Sequence, residues 1–289
     1  MVQPLTIFIS SIIAILLASN VESILNAYII SHWITFFVLL LIVIKLIKPE
    51  RFPIINFLSK FIMYGFRSHL SNIITLLNYR SSLLILGYFT TPITVGIYSV
   101  GMQLVEKLWL PSQAVSTVLL PRLSNQLGEG GDTKKISKLT LDCARLTFII
   151  TILISIVFVL LLPFIIHFLF GTEYSQAFYV VVLLLPGILA WTPSRILAND
   201  LAARGFAELN LKNSYWVFAI NIVLSICLIP IWGLIGAAIA TTIAYVMDLL
   251  LRLVSFNKVT QSEAFINIIP KISDFKIMLN FLQGIRNVK

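Results

Sequence analysis

Residues 146–170 read LTFIITILISIVFVLLLPFIIHFLF, twenty-five positions without an Asp, Glu, Lys or Arg. A helix needs about 20 apolar residues to cross the hydrocarbon core of a bilayer, so a membrane span is expected at about 143–169. The two ends of this stretch differ. Lys134, Lys135, Lys138 and Arg145 precede it, whereas the gap 171–175 beyond it has no Lys or Arg. Cytoplasmic loops carry the excess of Lys and Arg, so the chain enters this span from the cytoplasmic side.

The same alternation extends in both directions. Spans are expected at about 4–19, 27–47, 61–88, 93–121, 143–169, 175–199, 213–230 and 233–254. Basic residues gather at every second gap: Lys45, Lys48, Arg51 and Lys60, then Arg122 to Arg145, then Arg195, Arg204 and Lys212, then Arg252 onward. The gaps 19–26, 90–92 and 229–233 have none. The expected fold is an all-α integral membrane protein with about eight transmembrane helices and both termini cytoplasmic. Among the 21 Lys and Arg residues, Arg67, Arg80 and Lys107 fall well inside apolar stretches.

Composition agrees. Hydrophobic residues make up 58% of the chain and charged residues 11%, too few charges to cover a soluble domain, where about 25% is usual. The net charge of +9 is divided among loops rather than gathered on one polar face. It therefore indicates attraction to anionic membrane lipids and no nucleic-acid partner. Cys143 and Cys227 fall at opposite membrane faces, which argues against a disulfide, and no metal or redox motif is present. Gly128, Gly130 and Gly131 are not followed by Gly-Lys-Ser/Thr, so no nucleotide site is supported. The start, Met1 to Pro4, has no basic segment and suits a span better than a signal peptide. Near the other end, Phe275, Met278, Leu279 and Leu282 recur at helical spacing after Ser273. They predict an interfacial helix, with a frayed tail as the alternative.

Two spans carry polar stripes. At about 100° per residue, Arg67, Ser71, Thr75, Asn78 and Ser82 share one side of the third span, and His69, Asn72 and Arg80 another. Ser99, Gln103, Glu106, Gln113 and Thr117 share a side of the fourth, with Lys107 beside Glu106. Polar groups in hydrocarbon are costly and face a bundle interior or a watery cavity. One reading is a hydrated, cationic cavity for a large anionic substrate, with Arg suited to diphosphate by its planar fork. The other is polar glue between helices, preferred for Ser71, Asn72 and Thr117. Glu106 fits a structural ion pair or a role in proton or cation coupling equally well. Arg195 lies near the inner end of the sixth span, where it can also snorkel to water. Asn221 aligns with Ser214 and Ser225 on the seventh. The candidate cavity residues are thus Arg67, Asn78, Arg80, Gln103, Glu106, Lys107, Arg195 and Asn221, with no catalytic or metal-ligating residue. Small residues four apart on the eighth span (Gly233, Ala237, Thr241 and Gly236, Ala240, Ala244) form a packing face.

Longer motifs add to these patterns. The segments 95–100 (VGIYSV), 106–109 (EKLW) and 114–122 (AVSTVLLPR), then Phe170-Gly171, Leu185-Pro186-Gly187 and 233–238 (GLIGAA), occur in collinear order. In them the chain resembles polysaccharide (O-antigen) flippases of the multidrug/oligosaccharidyl-lipid/polysaccharide exporter superfamily, from about residue 61 to 256. The resemblance implies two six-helix lobes in the whole fold. Residues 1–60 would be the last two helices of the first lobe with a cytoplasmic connection. Residues 61–256 would be a complete six-helix lobe and 257–289 a cytoplasmic tail, four N-terminal helices being absent. Ser82 stands where many relatives carry Asp.

By the same resemblance, the expected function is flipping of a polyprenyl-diphosphate-linked oligosaccharide across the bacterial inner membrane, by alternating access, for O-antigen or lipopolysaccharide assembly. The expected partners are that lipid-linked sugar, membrane lipids, and a polymerase with other polysaccharide assembly proteins. No cofactor is implied beyond a coupling ion. The alternatives are a multidrug or cation exporter of the same superfamily, a membrane glycosyltransferase, polymerase or ligase, and a truncated fragment without transport. The short outer gaps, whose only acidic residues are Glu22 and Glu173, disfavour an enzyme. The basic excess in the third and fourth spans disfavours a cation exporter.

Overall fold

A computed structural model of the chain describes residues 21–46, 54–262 and 264–268. The expected first span and interfacial tail helix lie outside the described residues. All regular elements among the described residues are helical. The chain divides into two compact units, residues 1–58 and 59–289. In the first, α1 (Val21–Leu46) exposes most of its large apolar side chains, from Tyr28 to Ile44. Its buried hydroxyls return to the helix backbone: Ser31 donates to the Tyr28 carbonyl at 2.7 Å and Thr35 to the Ser31 carbonyl at 2.8 Å.

In the second unit, α2 (Ile54–Phe89, whose first turn straddles the division) leads to α3 (Pro92–Glu106) through Thr91, whose hydroxyl caps the new helix by accepting from the Thr94 amide. Proline at the first helical position is favourable there, because its missing N–H would be unpaired anyway. A 3₁₀ turn, Lys107–Trp109, then separates α3 from α4 (Leu110–Gly128). The expected fourth span is therefore broken near its middle. Then come α5 (Thr133–Phe170), capped by Asp132 through the Lys134 amide, a 3₁₀ turn Thr172–Tyr174, and α6 (Ala177–Ala203). The last long element is α7 (Ala207–Thr260), followed by the short α8 (Ala264–Asn267).

The expected seventh and eighth spans both fall within α7, which breaks at Gly233 with φ 52° and ψ −123°. A Cβ added at Gly236 would lie 2.3 Å from the Leu228 carbonyl oxygen. Eight residues of straight helix would separate these positions by about 12 Å. The chain therefore reverses at Gly233, and its two halves touch. Helices α5, α6 and α7 are long and apolar enough to cross a membrane. Helix α3 is only 15 residues long because the 3₁₀ turn ends it.

Glycines bring the helices of the core together. A Cβ on Gly101 of α3 would lie 2.7 Å from Val180 of α6, and one on Gly187 of α6 would lie 2.8 Å from the Thr242 backbone of α7. Ala237, Ala238, Ala240 and Ala244 are buried on α7. Lipid tails are as apolar as leucine, so close backbone approach and van der Waals contact hold such helices together. The small-residue stripe of the sequence serves this packing.

Candidate substrate cavity

Ser71, Thr75, Asn78 and Ser82 of the third-span stripe are consumed by helix packing. Ser82 on α2 bonds Thr241 at 2.8 Å and Asn221 and Ser225 at 3.2 Å, and Tyr98 on α3 reaches Thr241 at 3.1 Å. The Asn221 amide donates to the Asn78 side chain at 3.0 Å and to Ser81 at 2.9 Å. Two turns away, Ser71 and Thr75 meet Ser214 at 3.1 and 3.2 Å. This uncharged ladder of hydroxyls and amides fastens α2 to α7.

Nearer the ends of α6 and α7, buried ions are paired. Asp248 accepts both carboxylate bonds from Arg252 Nε, at 3.0 and 3.1 Å, and a short bond from Ser194. Arg252 also donates to Asn210 at 2.6 Å, and Asn210 to the Ala198 carbonyl at 2.9 Å. Asp200 is enclosed by Arg204 and by Thr140, whose hydroxyl donates at 2.6 Å. These groups satisfy one another, as buried charges must.

Two connected hollows lie between α2, α4, α6 and α7. A cavity of about 520 Å³ is walled by Asn72, Thr75 and Tyr79 of α2, Gln113, Ser116 and Thr117 of α4, Trp109 of the 3₁₀ turn, and Trp191, Arg195 and Asn199 of α6. A second, of about 360 Å³, shares Asn72, Tyr79, Trp191, Arg195 and Asn199 and continues past Tyr64 and Ser68 to Asp248 and Arg252. Trp109, the last residue of the 3₁₀ turn between α3 and α4, lies against Trp191. Their rings stack with centroids 4.5 Å apart, and Tyr79 packs on Trp109 at 4.9 Å.

Among the eight candidates, Arg195 lines both cavities and is partly exposed. Among the described residues no carboxylate pairs with it within 4 Å. Asn78 and Asn221 are buried in the ladder between α2 and α7. Arg67 lines neither cavity and pairs with Glu208 at 2.7 Å, with both side chains well exposed. Arg80, Gln103 and Lys107 are exposed, and Gln103 donates to Ser99 at 3.2 Å. Glu106 is partly buried, with Arg80 and then Lys107 as the basic groups acting on it. Arg80, Glu106 and Lys107 thus form one group and Arg195 another.

Three cavity residues carry polar atoms without a partner: Trp109 Nε1, Ser116 Oγ and Asn199 Nδ2, all on side chains at least nine-tenths buried. The sequence reading passed over Trp109, Trp191 and Asn199 as site residues. An aromatic in an apolar span has the signature of ordinary packing, and only the packing of one helix on another brings these residues to one cavity.

Residues 1–179 match the model of a family described as "Polysaccharide biosynthesis protein". The chain is 28% identical to the "uncharacterized membrane protein MJ1068" of Methanocaldococcus jannaschii, over 91% of this chain and 53% of that protein. It is 24% identical to the "probable low-salt glycan biosynthesis flippase Agl15" of Haloferax volcanii, over 58% of this chain and 35% of that protein. The chain thus spans about half the length, or less, of these curated relatives. Its fold is similar to the solved structure of "Lipid II flippase MurJ, inward closed conformation", with a TM-score of 0.62 and 19% identity over 97% of this chain and 58% of that one. With its family matched over more than half its length, the chain belongs to the polysaccharide biosynthesis protein family, and it has the helical fold of the flippases it resembles.

Proposed function

We propose that this chain takes part in flipping a lipid-diphosphate-linked oligosaccharide across the cell membrane. The observation that carries the reading is Arg195: a guanidinium lining a cavity beside stacked indoles, on α6, a helix long and apolar enough to cross a bilayer. A cation so placed suits an oxyanion, for which Arg offers two parallel N–H donors. The flippase named among the relatives supports the same reading. The substrate would be a polyprenyl-diphosphate-linked saccharide whose tail stays in lipid while its polar head crosses the cavity.

In this account residues 61–256 are one six-helix lobe and 1–60 end the preceding one, with 257–289 a cytoplasmic tail. The exposed Arg80, Lys107 and Gln103 line the substrate path, with Arg67 at its cytoplasmic mouth and Glu106 beside Arg80 as a coupling group. Asn78 and Asn221 hold that wall in place. Alternating access then rocks the lobes about the site, driven by an ion gradient. Both termini are cytoplasmic by the distribution of Lys and Arg. The membrane is the bacterial inner membrane in this proposal, and the curated relatives come from archaea. A polymerase and other assembly proteins would receive the flipped sugar, which makes the protein a transporter rather than an enzyme.

The test is complementation of a flippase-deficient strain, read as surface polymer. Restored polymer that is lost with Arg80→Ala at unchanged membrane abundance supports the reading. Polymer restored equally by Arg80→Ala and Lys107→Ala excludes these side chains from the path.

A further inference from the structure

The hairpin between α5 and α6 holds a hollow of its own, of about 510 Å³. It lies at the end of α5 away from the basic loop 122–145. It extends from Pro163, Ile166 and His167 of α5 to Thr172 and Ser175 of the turn and Gln176 and Tyr179 at the start of α6. The side chains of His167, Thr172, Ser175, Gln176 and Tyr179 are exposed, and among the described residues none of them makes a hydrogen bond to the protein. Each can donate one. These groups are open to a guest.

The depth of this hollow decides what can fill it. The uncharged run 146–170 is about 37 Å long as a helix, a little more than the ~30 Å of bilayer hydrocarbon. Pro163 and Ile166 therefore lie inside the hydrocarbon edge, and residues 171–176 lie among the headgroups. A hollow that straddles this boundary, apolar at one end and lined by unpaired donors at the other, has the polarity profile of a phospholipid. Phe164 and Phe168 continue the apolar end along α5: both are exposed, and their rings stack with centroids 5.9 Å apart and planes within 9°. Charge narrows the choice. No Lys or Arg lines the hollow, and Glu173 on the same turn is exposed and makes no ion pair among the described residues. An anionic headgroup would meet this carboxylate with no cation between them, whereas a zwitterionic one brings its own ammonium.

We propose that this hollow binds the headgroup of a zwitterionic phospholipid, with the phosphate on His167, Thr172, Ser175 and Tyr179, the ammonium at Glu173 and an acyl chain along Phe164 and Phe168. A lipid so held fixes the depth of the α5–α6 hairpin in its leaflet. The site is distinct from the attraction of the basic loops to anionic lipid, because Lys134, Lys135 and Lys138 lie at the other end of α5. It requires only that α5 and α6 cross the bilayer, and it stands apart from the flippase reading.

The test is native mass spectrometry of the whole chain released from detergent, with phosphatidylethanolamine and phosphatidylglycerol of the same acyl chains titrated separately. Phosphatidylethanolamine should bind more tightly than phosphatidylglycerol. Its binding should weaken roughly tenfold or more when Thr172→Val, Ser175→Ala and His167→Leu are combined, the worth of charge-assisted hydrogen bonds to the phosphate. Binding of phosphatidylglycerol should be unchanged by the same three substitutions. Glu173→Lys leaves every donor in place and should reverse the preference toward phosphatidylglycerol. It decides the matter on its own if the triple variant does not fold. Equal phosphatidylethanolamine binding by the wild type and the triple variant, an unaltered preference in Glu173→Lys, or tighter binding of phosphatidylglycerol by the wild type would each overturn the proposal.

Discussion

Trp109 and Trp191 stack at a centroid distance of 4.5 Å although one belongs to a 3₁₀ turn and the other to the middle of α6. Trp109 closes the 3₁₀ turn Lys107–Trp109 that joins the two helices of residues 92–128. Short 3₁₀ segments within a helix often mark functional hinges, and membrane transporters place their sites at such discontinuities. Trp191→Ala should therefore destabilise the lobe by about 3 kcal/mol, within the range for large aromatic truncations. Trp109→Phe should cost clearly less, because it keeps a ring against Trp191 and the Nε1 it removes has no partner to lose. Thermal unfolding in detergent compares the two. Equal losses would mean that the stack does not bear on stability.

Asp248 and Arg252 are each about 6% exposed. Asp248→Ala strands a buried guanidinium and should cost about 3–5 kcal/mol. Asp248→Leu combined with Arg252→Met removes both charges and should recover most of that loss. The check is the unfolding temperature of the three variants. A double variant no better than Asp248→Ala would mean that Arg252 is held by Asn210 rather than by its carboxylate partner.

Arg67 and Glu208 meet at 2.7 Å, but their side chains are 42% and 59% exposed. Solvent screening leaves such a pair about 0–1 kcal/mol. A double-mutant cycle with Arg67→Gln and Glu208→Gln should give a coupling in that range. Loss of export by Arg67→Ala would then reflect transport rather than folding. A coupling well above it would assign Arg67 a structural role.

Asn221 donates to Asn78 and Ser81 and accepts from Ser82. Asn221→Leu should cost about 1–2 kcal/mol, the scale of interhelical hydrogen bonds in membranes. It should also loosen α2 from α7 as read by cross-linking of cysteines placed on the two helices. An unchanged cross-linking rate would show that glycine and alanine packing alone holds them.

Much of the fold is legible in the sequence because its main signals are local. The apolar run 146–170 and the alternation of basic gaps need no knowledge of the fold, and α5 spans Thr133–Phe170 accordingly. The stripe of Gly236, Ala240 and Ala244 likewise announces close packing. What escaped was non-local. Asn78 and Asn221 both read as polar side chains in apolar spans, but pairing them requires knowing that α2 lies against α7. The break at Lys107–Trp109 was hidden because Lys, Leu and Trp are all acceptable in a helix. Arg195 could be found from its charge. Its neighbours Trp109, Trp191 and Asn199 become a wall only when α4 and α6 are set beside α2.

The central proposal is that this chain takes part in carrying a lipid-linked sugar between leaflets. The most direct measurement reconstitutes it in vesicles of phosphatidylethanolamine and phosphatidylglycerol containing a polyprenyl-diphosphate saccharide with a fluorophore on the sugar. A membrane-impermeant reductant is then added outside. The account predicts that the reductant extinguishes the inner-leaflet label too, because the chain brings it across, and that Arg195→Gln slows this phase. An inner-leaflet signal as persistent as in protein-free vesicles would contradict it.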